Sequence, residues 1–168
     1  MRKLVIGMQT KRGFTLIEIL VVVVIIGITI GFALLAFGDF GGKRRIQVAA
    51  EQFKDFSQVV RQQAIYESST FAIKVTKSSY QALRFEVKGG WRTLPGRGIF
   101  HERHFPSNAI IDLDTPGKIL GAPDIIISSS GDVTPFTLYI GTVKEYRIAT
   151  VIGTADGSIK MKSLPPPR

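Results

Sequence analysis

Glu18 places a carboxylate at the start of a long apolar segment. No other charged side chain occurs from Phe14 to Gly38. A charged side chain at the middle of a bilayer costs about 2.5–3.5 kcal/mol on insertion scales, and the cost falls toward the interface. Two interpretations follow. Glu18 either lies close to the headgroups, where water solvates it, or it pairs with a cation.

A cut between Gly13 and Phe14 would create such a cation. The new α-amine would have a reference pKa of about 8 and would be mostly positive at neutral pH. Phe14 and Glu18 would lie about 6 Å apart along a helix, so the amine and the carboxylate of staggered neighbouring copies could form a charge-assisted pair. The chemistry open to these residues is therefore an ion pair between the amine of one copy and the carboxylate of another.

The apolar segment must position this pair, and it is long enough to cross a membrane. Ile19 to Gly38 supplies the roughly 20 uncharged residues that a helix needs to span a hydrocarbon core of about 30 Å. Unmatched basic residues precede the span and predict a cytoplasmic N-terminus: Arg2, Lys3, Lys11 and Arg12. Lys43, Arg44 and Arg45 on the far side reduce this asymmetry. A secretory signal fits less well, because its apolar core is shorter and ends at a small-x-small cleavage site.

Residues 13–18 read GFTLIE, and with the basic leader and the apolar helix they resemble the processing site of type IV pilins and of the pseudopilins of type II secretion systems. The resemblance implies that a prepilin peptidase cuts after Gly13 and methylates the amine of Phe14. It also implies that Glu18 serves in membrane recruitment and filament assembly. Family leaders are often short, so Met8 is an alternative initiator to Met1, and the intact mass of the uncleaved precursor would decide between them.

The chain divides into four segments in this interpretation. We expect a basic leader at 1–13, a transmembrane and assembly helix at 14–40, an amphipathic helix at 41–69 and a β-rich head at 70–168. The fold class predicted is α+β, with a long N-terminal helix packed on an antiparallel β-sheet or sandwich.

An apolar stripe defines the amphipathic helix. Its apolar or small residues recur at spacings of three and four: Ile46, Ala49, Ala50, Phe53, Phe56, Val60 and Ala64. We expect Phe53 to Ala64 to pack on the chain's own head. The first part, near Ile46, is expected to contact neighbouring subunits.

The head shows the period of two that is typical of strands. Alternation and turn signals predict strands at 71–75, 80–87, 109–113, 125–129, 136–141, 146–152 and 158–162. Residues 94–106 contain Pro95-Gly96 and predict an irregular surface loop. The tail from Leu164 is proline-rich and predicted to be extended.

Charge and cysteine content limit what the head can be. The chain has 22 basic and 13 acidic residues, but four of the basic ones precede Gly13, so the processed chain would have 18 basic residues and a net charge of about +5. This charge predicts a solvated surface or a weak polyanion-binding face. Cysteine is absent, so no disulfide staples the head, whereas many pilin heads have a stapled loop.

Other candidate residues fit structural roles better than chemical ones. His101 and His104 lack the spacing of a zinc site and an evident third ligand. Asp112, Asp114 and Asp124 lie at strand ends and turns without the ligand-dense loop of a calcium site. No nucleophile elbow or phosphate loop occurs. The sequence therefore predicts no catalytic residue, no cofactor and no metal, and the protein is not expected to be an enzyme.

The last part of the chain extends the resemblance. Residues 125–132 read IIISSSGD, and with the strand at 136–140 and residues 157–160 they resemble the C-terminal pattern of H-type minor pseudopilins and of FimT-like minor type IV pilins. The first family implies a structural subunit near the tip of a filament that helps to export folded proteins across the outer membrane. The second implies pilus initiation or DNA uptake.

Partners and location follow from the same resemblance. We expect contacts with the prepilin peptidase, with other major and minor pseudopilins and with secreted cargo. The location expected is the inner membrane, with a single span, a cytoplasmic N-terminus and a periplasmic head. Nucleic acid is not a favoured partner, because Lys160, Lys162 and Arg168 form only a thin basic cluster.

Overall fold

The computed structural model describes residues 14–37, 40–94, 98–117 and 121–163. The predicted leader with Gly13, the alternative start Met8, Pro95-Gly96 and the tail from Leu164 lie outside these residues. The chain contacts fall into two compact units, the first ending at Phe40 and the second beginning at Gly41.

Helix α1 spans Leu16–Phe37 and consists almost wholly of apolar residues. Its window Leu16–Ala33 has a mean hydropathy of 2.8, and none of that window is buried within the chain. The hydroxyl of Thr29 donates to the carbonyls of Ile25 and Ile26, at 2.9 Å each, so this polar group is satisfied inside the helix. Among the described residues, α1 is the one helix with the length and composition of a membrane span.

Helix α2 spans Phe40–Tyr66 and buries one face. Every residue of the predicted stripe is buried, which confirms the helical period and the packing of Phe53 to Ala64 on the head. The expectation for Ile46 was wrong. Its side chain is fully buried in the core of the same head, because the buried stripe continues unbroken from Ala64 back to Ile46.

Nine strands form two antiparallel sheets in the part of the chain that the structure describes. Their bounds are β1 Phe71–Val75, β2 Ser79–Glu86, β3 Gly90–Thr93, β4 Arg103–His104, β5 Ile110–Asp114, β6 Ile125–Ile127, β7 Phe136–Gly141, β8 Ala149–Gly153 and β9 Ile159–Ser163. The first sheet has the order β3-β2-β1-β6, and β4 also pairs with β2. The second has the order β5-β7-β8-β9. The α+β prediction is confirmed.

Most of the predicted strands are confirmed, with shifts of a few residues. The bounds of β1 and β7 agree with the prediction at both ends, while the strand expected from residue 146 begins at Ala149. The short strand β4 was not predicted, since it lies inside the expected loop at 94–106. It pairs with the start of β2, where His104 lies opposite Ser79.

Phe53 lies at the centre of the core and joins the two sheets. Its ring centroid is 5.0 Å from that of Tyr80 in β2 and 6.1 Å from that of Phe136 in β7, both with edge-to-face geometry. The ring of Phe105, the residue after β4, also packs near Phe53, with 6.2 Å between the two ring centroids. One helical side chain therefore contacts aromatic residues of both sheets, which holds the head together as one unit.

Arg61 joins α2 to two tight turns. Its Nε donates to the carbonyl of Gly131 at 2.8 Å. Gly157 has a φ of 81°, and a Cβ there would lie 2.3 Å from Arg61 Nε and 2.3 Å from the carbonyl oxygen of Gly131. Both the backbone conformation and the close packing therefore require glycine at this turn.

Candidate assembly site

Thr15 caps the start of α1. The backbone N–H of Glu18 donates to the Thr15 side-chain oxygen at 3.3 Å and to its carbonyl at 3.1 Å. The N–H of Ile19 donates to the same carbonyl at 3.3 Å. The Thr15 side chain thus satisfies the N–H of Glu18, one of the groups that a helix start leaves without a regular intrahelical partner, while the bond from Ile19 is the first regular bond of the helix. The spacing Thr-x-x-Glu is that of a capping box, a local sequence signal that charge and hydropathy do not show.

Glu18 is the third residue of α1, and its position explains how a carboxylate is tolerated there. The partial positive charge of a helix N-terminus favours an anion in the first turn. No described residue forms an ion pair with Glu18, and α1 itself contains no cation. A cation that pairs with the Glu18 carboxylate must therefore come from outside α1.

Phe14 lies just before the helix, with its side chain 77% exposed. Two non-helical residues, Phe14 and Thr15, separate the proposed cut from the first turn, so an amine created at Phe14 would stand at the end of the chain. Gly13 lies outside the described residues. The structure thus leaves both the amine position and the Glu18 carboxylate accessible to other molecules.

The lateral surface of α1 is free within this chain. All side chains from Phe14 to Ala33 are exposed. A Cβ added at Gly27 or Gly31 would meet nothing within 4 Å, so these two glycines leave a shallow strip on one face of the helix. Such small-xxx-small spacing allows close approach of another helix.

The other candidate residues have local roles. His101 Nδ1 lies 2.6 Å from the Gly98 carbonyl, and the Oδ2 of Asp124 accepts from the N–H of Val75 at 3.0 Å. Asp112 and Asp114 are exposed on β5. Within the described ranges no group of three or more His, Cys, Asp or Glu side chains is placed to hold a metal ion. Two of the three predicted basic residues, Lys160 and Lys162, are exposed on β9, and Arg168 is not described.

Two groups among the described residues of the head have shifted pKa values. Burial raises the pKa of Tyr80 above its ordinary value, and the Arg103 guanidinium partly opposes this. A hydrogen bond from Thr154 and another from the Ser158 N–H, at 3.1 Å, lower the pKa of Asp156. Both groups belong to the packing and turns of the head and lie away from α1.

The fold and the N-terminal site together define a class. Residues 8–34 match the family model of the prokaryotic N-terminal methylation motif. This motif covers the Thr15 cap, Glu18 and most of α1. The head consists of one helix packed on two antiparallel sheets. Together, the N-terminal motif and this head define a type IV pilin-like protein.

A curated relative gives the particular family. The chain is 30% identical over 145 residues to type II secretion system protein H of Pseudomonas aeruginosa, and the alignment covers 78% of this chain and 83% of the relative. The chain belongs to the family of type II secretion system protein H, the H-type minor pseudopilins.

Solved structures agree on the fold. The crystal structure of the minor pseudopilin EpsH of Vibrio cholerae has a TM-score of 0.64 at 18% identity, covering 72% of this chain and 97% of that one. The minor type IV pilin FimU of Pseudomonas aeruginosa has a TM-score of 0.55 at 13% identity, covering 73% and 92%. At these identities the likeness concerns the fold alone, and the pilin is the weaker match.

Proposed function

We propose that this chain is a minor subunit near the tip of a short type II secretion pseudopilus, which aids export of folded proteins across the outer membrane. The observation that carries the proposal is the 30% identity to a type II secretion protein H over most of both chains. The subunit acts by packing and not by catalysis. Its partners are other major and minor pseudopilins, and its head offers a surface to secreted cargo.

The N-terminal motif supports a specific course of processing. The leader at 1–13 stays cytoplasmic, a prepilin peptidase cuts after Gly13, and the amine of Phe14 is methylated. Residues 14–40 cross the inner membrane once, and residues 41–69 and 70–168 form the helix and sheets of a periplasmic head. The methylation motif and the apolar length of α1 support this placement.

Assembly then depends on the charge pair that the cut makes available. Glu18 of one subunit binds the Phe14 amine of its neighbour, since α1 supplies no cation of its own. Pairing offsets much of the cost of a carboxylate near the hydrocarbon, which reaches about 3 kcal/mol at full depth. The exposed lateral surface of α1, with its strip at Gly27 and Gly31, forms the filament core.

The processing claim is tested by the N-terminal peptide of the purified protein. Coexpression with a prepilin peptidase should give a chain that begins at methylated Phe14, whereas cells without the peptidase should retain the leader. Gly13→Val places a branched side chain at the cut and should block processing. A mature chain that still begins at Met1 or Met8 in peptidase-positive cells would contradict the proposal.

The role of Glu18 is tested by incorporation into filaments. Glu18→Ala should be cleaved normally but should be lost from sheared pseudopili, because the Phe14 amine of the neighbour has no carboxylate to bind. Glu51→Ala removes an exposed carboxylate of α2 and serves as the control. Equal incorporation of both variants would show that Glu18 has no assembly role.

The alternative, a minor type IV pilin for pilus initiation or DNA uptake, predicts a different result in the same cells. The protein would then be recovered with pili and not with secretion filaments. Its gene would lie among pilus or competence genes and not among those of a secretion channel. Salt-sensitive DNA binding by the protein would also favour this alternative.

A further inference from the structure

Basic residues lie where the head begins, shortly after α1. Lys43, Arg44 and Arg45 are on the first two turns of α2, and α1 ends at Phe37. Even if fully extended, the chain from Phe37 to Arg44 reaches no farther than about 25 Å. If α1 spans the membrane as proposed above, covalent reach alone keeps these side chains within about 25 Å of the end of α1 and so near the surface at which the span ends.

The loop between β7 and β8 brings further side chains to the same end of the head. Lys43 Nζ lies 2.6 Å from Glu145 Oε2, which ties the loop to the first turn of α2. Backbone hydrogen bonds between Thr142 and Glu145, of 2.7 and 3.1 Å, close the loop into a tight turn. The turn leaves Val143 84% exposed and Tyr146 66% exposed.

The Lys43–Glu145 ion pair brings two exposed segments together, and we call their basic, apolar and aromatic residues the proximal patch: Lys43, Arg44, Arg45, Val143, Lys144, Tyr146 and Arg147. Its five basic residues face one acidic residue, Glu145, which leaves four net positive charges in the described part of the chain. The whole chain after Gly13 has a net charge of about five. Most of the excess charge therefore belongs to these residues, and their sum stays positive when Asp39, which precedes α2 in the sequence, is counted.

The chemistry of the proximal patch matches a lipid surface. Guanidinium groups bind phosphate through paired donors, and Arg44 is exposed at the start of α2. Tyrosine is enriched at the boundary between membrane and water, where its ring and hydroxyl meet different surroundings. Exposed Val143 at a loop tip adds an apolar group between basic ones. This combination is typical of surfaces that lie on anionic membranes.

We propose that the proximal patch binds anionic phospholipid headgroups of the leaflet at which the span ends, and holds the head against the membrane before assembly. The proposal rests on the single-span placement proposed above. It accounts for the basic residues Lys43 to Arg45 on the side of the span where the positive-inside tendency disfavours them. Entry into a filament would then require release of the patch from the lipid.

The test uses the full chain in lipid vesicles. The protein has no native cysteine, so Val143→Cys accepts a single environment-sensitive fluorophore. Vesicles of phosphatidylcholine alone are compared with vesicles that also contain phosphatidylglycerol. Acrylamide reports exposure of the label to water, and spin-labelled lipid reports contact with the bilayer. Flotation of the vesicles at high salt, which removes electrostatic surface binding, separately shows that α1 has inserted.

The control label replaces Val87, which is 94% exposed in the turn after β2. Ser79, at the start of β2, pairs with His104, and His104 lines a groove together with Arg44 and Arg45. The start of β2 is therefore near the proximal patch. Val87 follows the other end of this strand and lies away from the patch. The label at Val87→Cys should stay exposed to water in every vesicle.

We expect the label at residue 143 to be shielded from acrylamide only in vesicles that contain phosphatidylglycerol, and less so at high salt. Replacing Arg44 and Arg45 together by glutamine should lower the ratio of lipid-bound to free heads by about 30-fold. Each basic residue near an anionic surface contributes roughly fivefold to this ratio, and the two factors multiply. Circular dichroism and the urea midpoint of the glutamine variant report that its head is folded.

Three results would overturn the proposal. The label could remain exposed in inserted protein, it could be shielded equally in phosphatidylcholine alone, or shielding could survive the double glutamine variant in a folded head. Shielding that appears only when other pseudopilins are added would identify the patch as a protein interface instead. Failure of the protein to float with the vesicles would contradict the single-span placement itself.

Discussion

Truncating Phe53 to alanine removes the side chain that contacts aromatic residues of both sheets. Phe53 is fully buried and makes three ring contacts within about 6 Å, with Tyr80, Phe105 and Phe136. Replacing a fully buried phenylalanine by alanine lowers the free energy of unfolding by about 3–5 kcal/mol. A domain of this size has a total stability of about 5–15 kcal/mol, so the change removes a large part of it. Phe53→Leu retains most of the volume and should cost about 1–2 kcal/mol.

Urea unfolding of the full chain in a mild detergent measures this loss. The single tryptophan, Trp91, lies in β3 against Phe85 with ring centroids 5.3 Å apart, so its fluorescence reports the head and not α1. With a urea dependence of about 2 kcal/mol per molar, Phe53→Ala should lower the midpoint by about 2 M. Tyr66→Ala is the control, since this aromatic residue of α2 is 85% exposed and should change the stability by less than about 0.5 kcal/mol.

The result that would refute the packing argument is equal stability of Phe53→Ala and Tyr66→Ala. A loss confined to a changed slope, with the same midpoint, would also refute it, because the slope reports the surface exposed on unfolding. Should Phe53→Ala fail to fold, the leucine variant still decides the matter, since its expected midpoint lies between those of the wild type and the alanine variant.

Three further changes test other parts of the molecule. Gly153→Ala should cost about 1–3 kcal/mol by urea unfolding, because its Cβ would lie 2.2 Å from the ring of Phe136. Burial raises the pKa of Tyr80, so the wild type should lose thermal stability as the pH rises above ~10 and through the pKa of the folded state. Tyr80→Phe has no phenol to ionise, and its melting temperature should fall less over the same pH range. Thr15→Ala should speed hydrogen exchange at the Glu18 amide in detergent micelles, whereas Thr15→Ser should not.

Periodicity predicted the helix and most strands because each of these elements buries one face. The stripe from Ile46 to Ala64 and the alternation at 71–75 are local patterns, and burial of those faces fixes them. Strand β4 has two residues, Arg103 and His104, too few to show a period of two. Only its pairing with Ser79 makes it a strand, and that pairing depends on the fold of the whole head.

The expectation for Ile46 failed for a related reason. A stripe shows that a face is buried, but it does not show whether the chain itself or a neighbour buries it. The structure assigns Ile46 to the core of its own head.

Some features of the candidate site can be recognised from local sequence, and others depend on the fold. Glu18 was found because a lone carboxylate in an apolar segment is visible in the sequence. The cap at Thr15 was equally local and could have been found from its spacing to Glu18. The proximal patch could not have been found, because Lys43 and Glu145 meet across about a hundred residues of intervening chain.

In the function proposed above, this chain is processed after Gly13 and enters a type II secretion pseudopilus. Mass spectrometry of the N-terminal peptide from isolated secretion filaments tests both parts at once. We expect the chain to be recovered in those filaments with an N-terminal peptide that begins at methylated Phe14. A chain that begins at Met1 or Met8, or one that is recovered with type IV pili and absent from the secretion filaments, would contradict it.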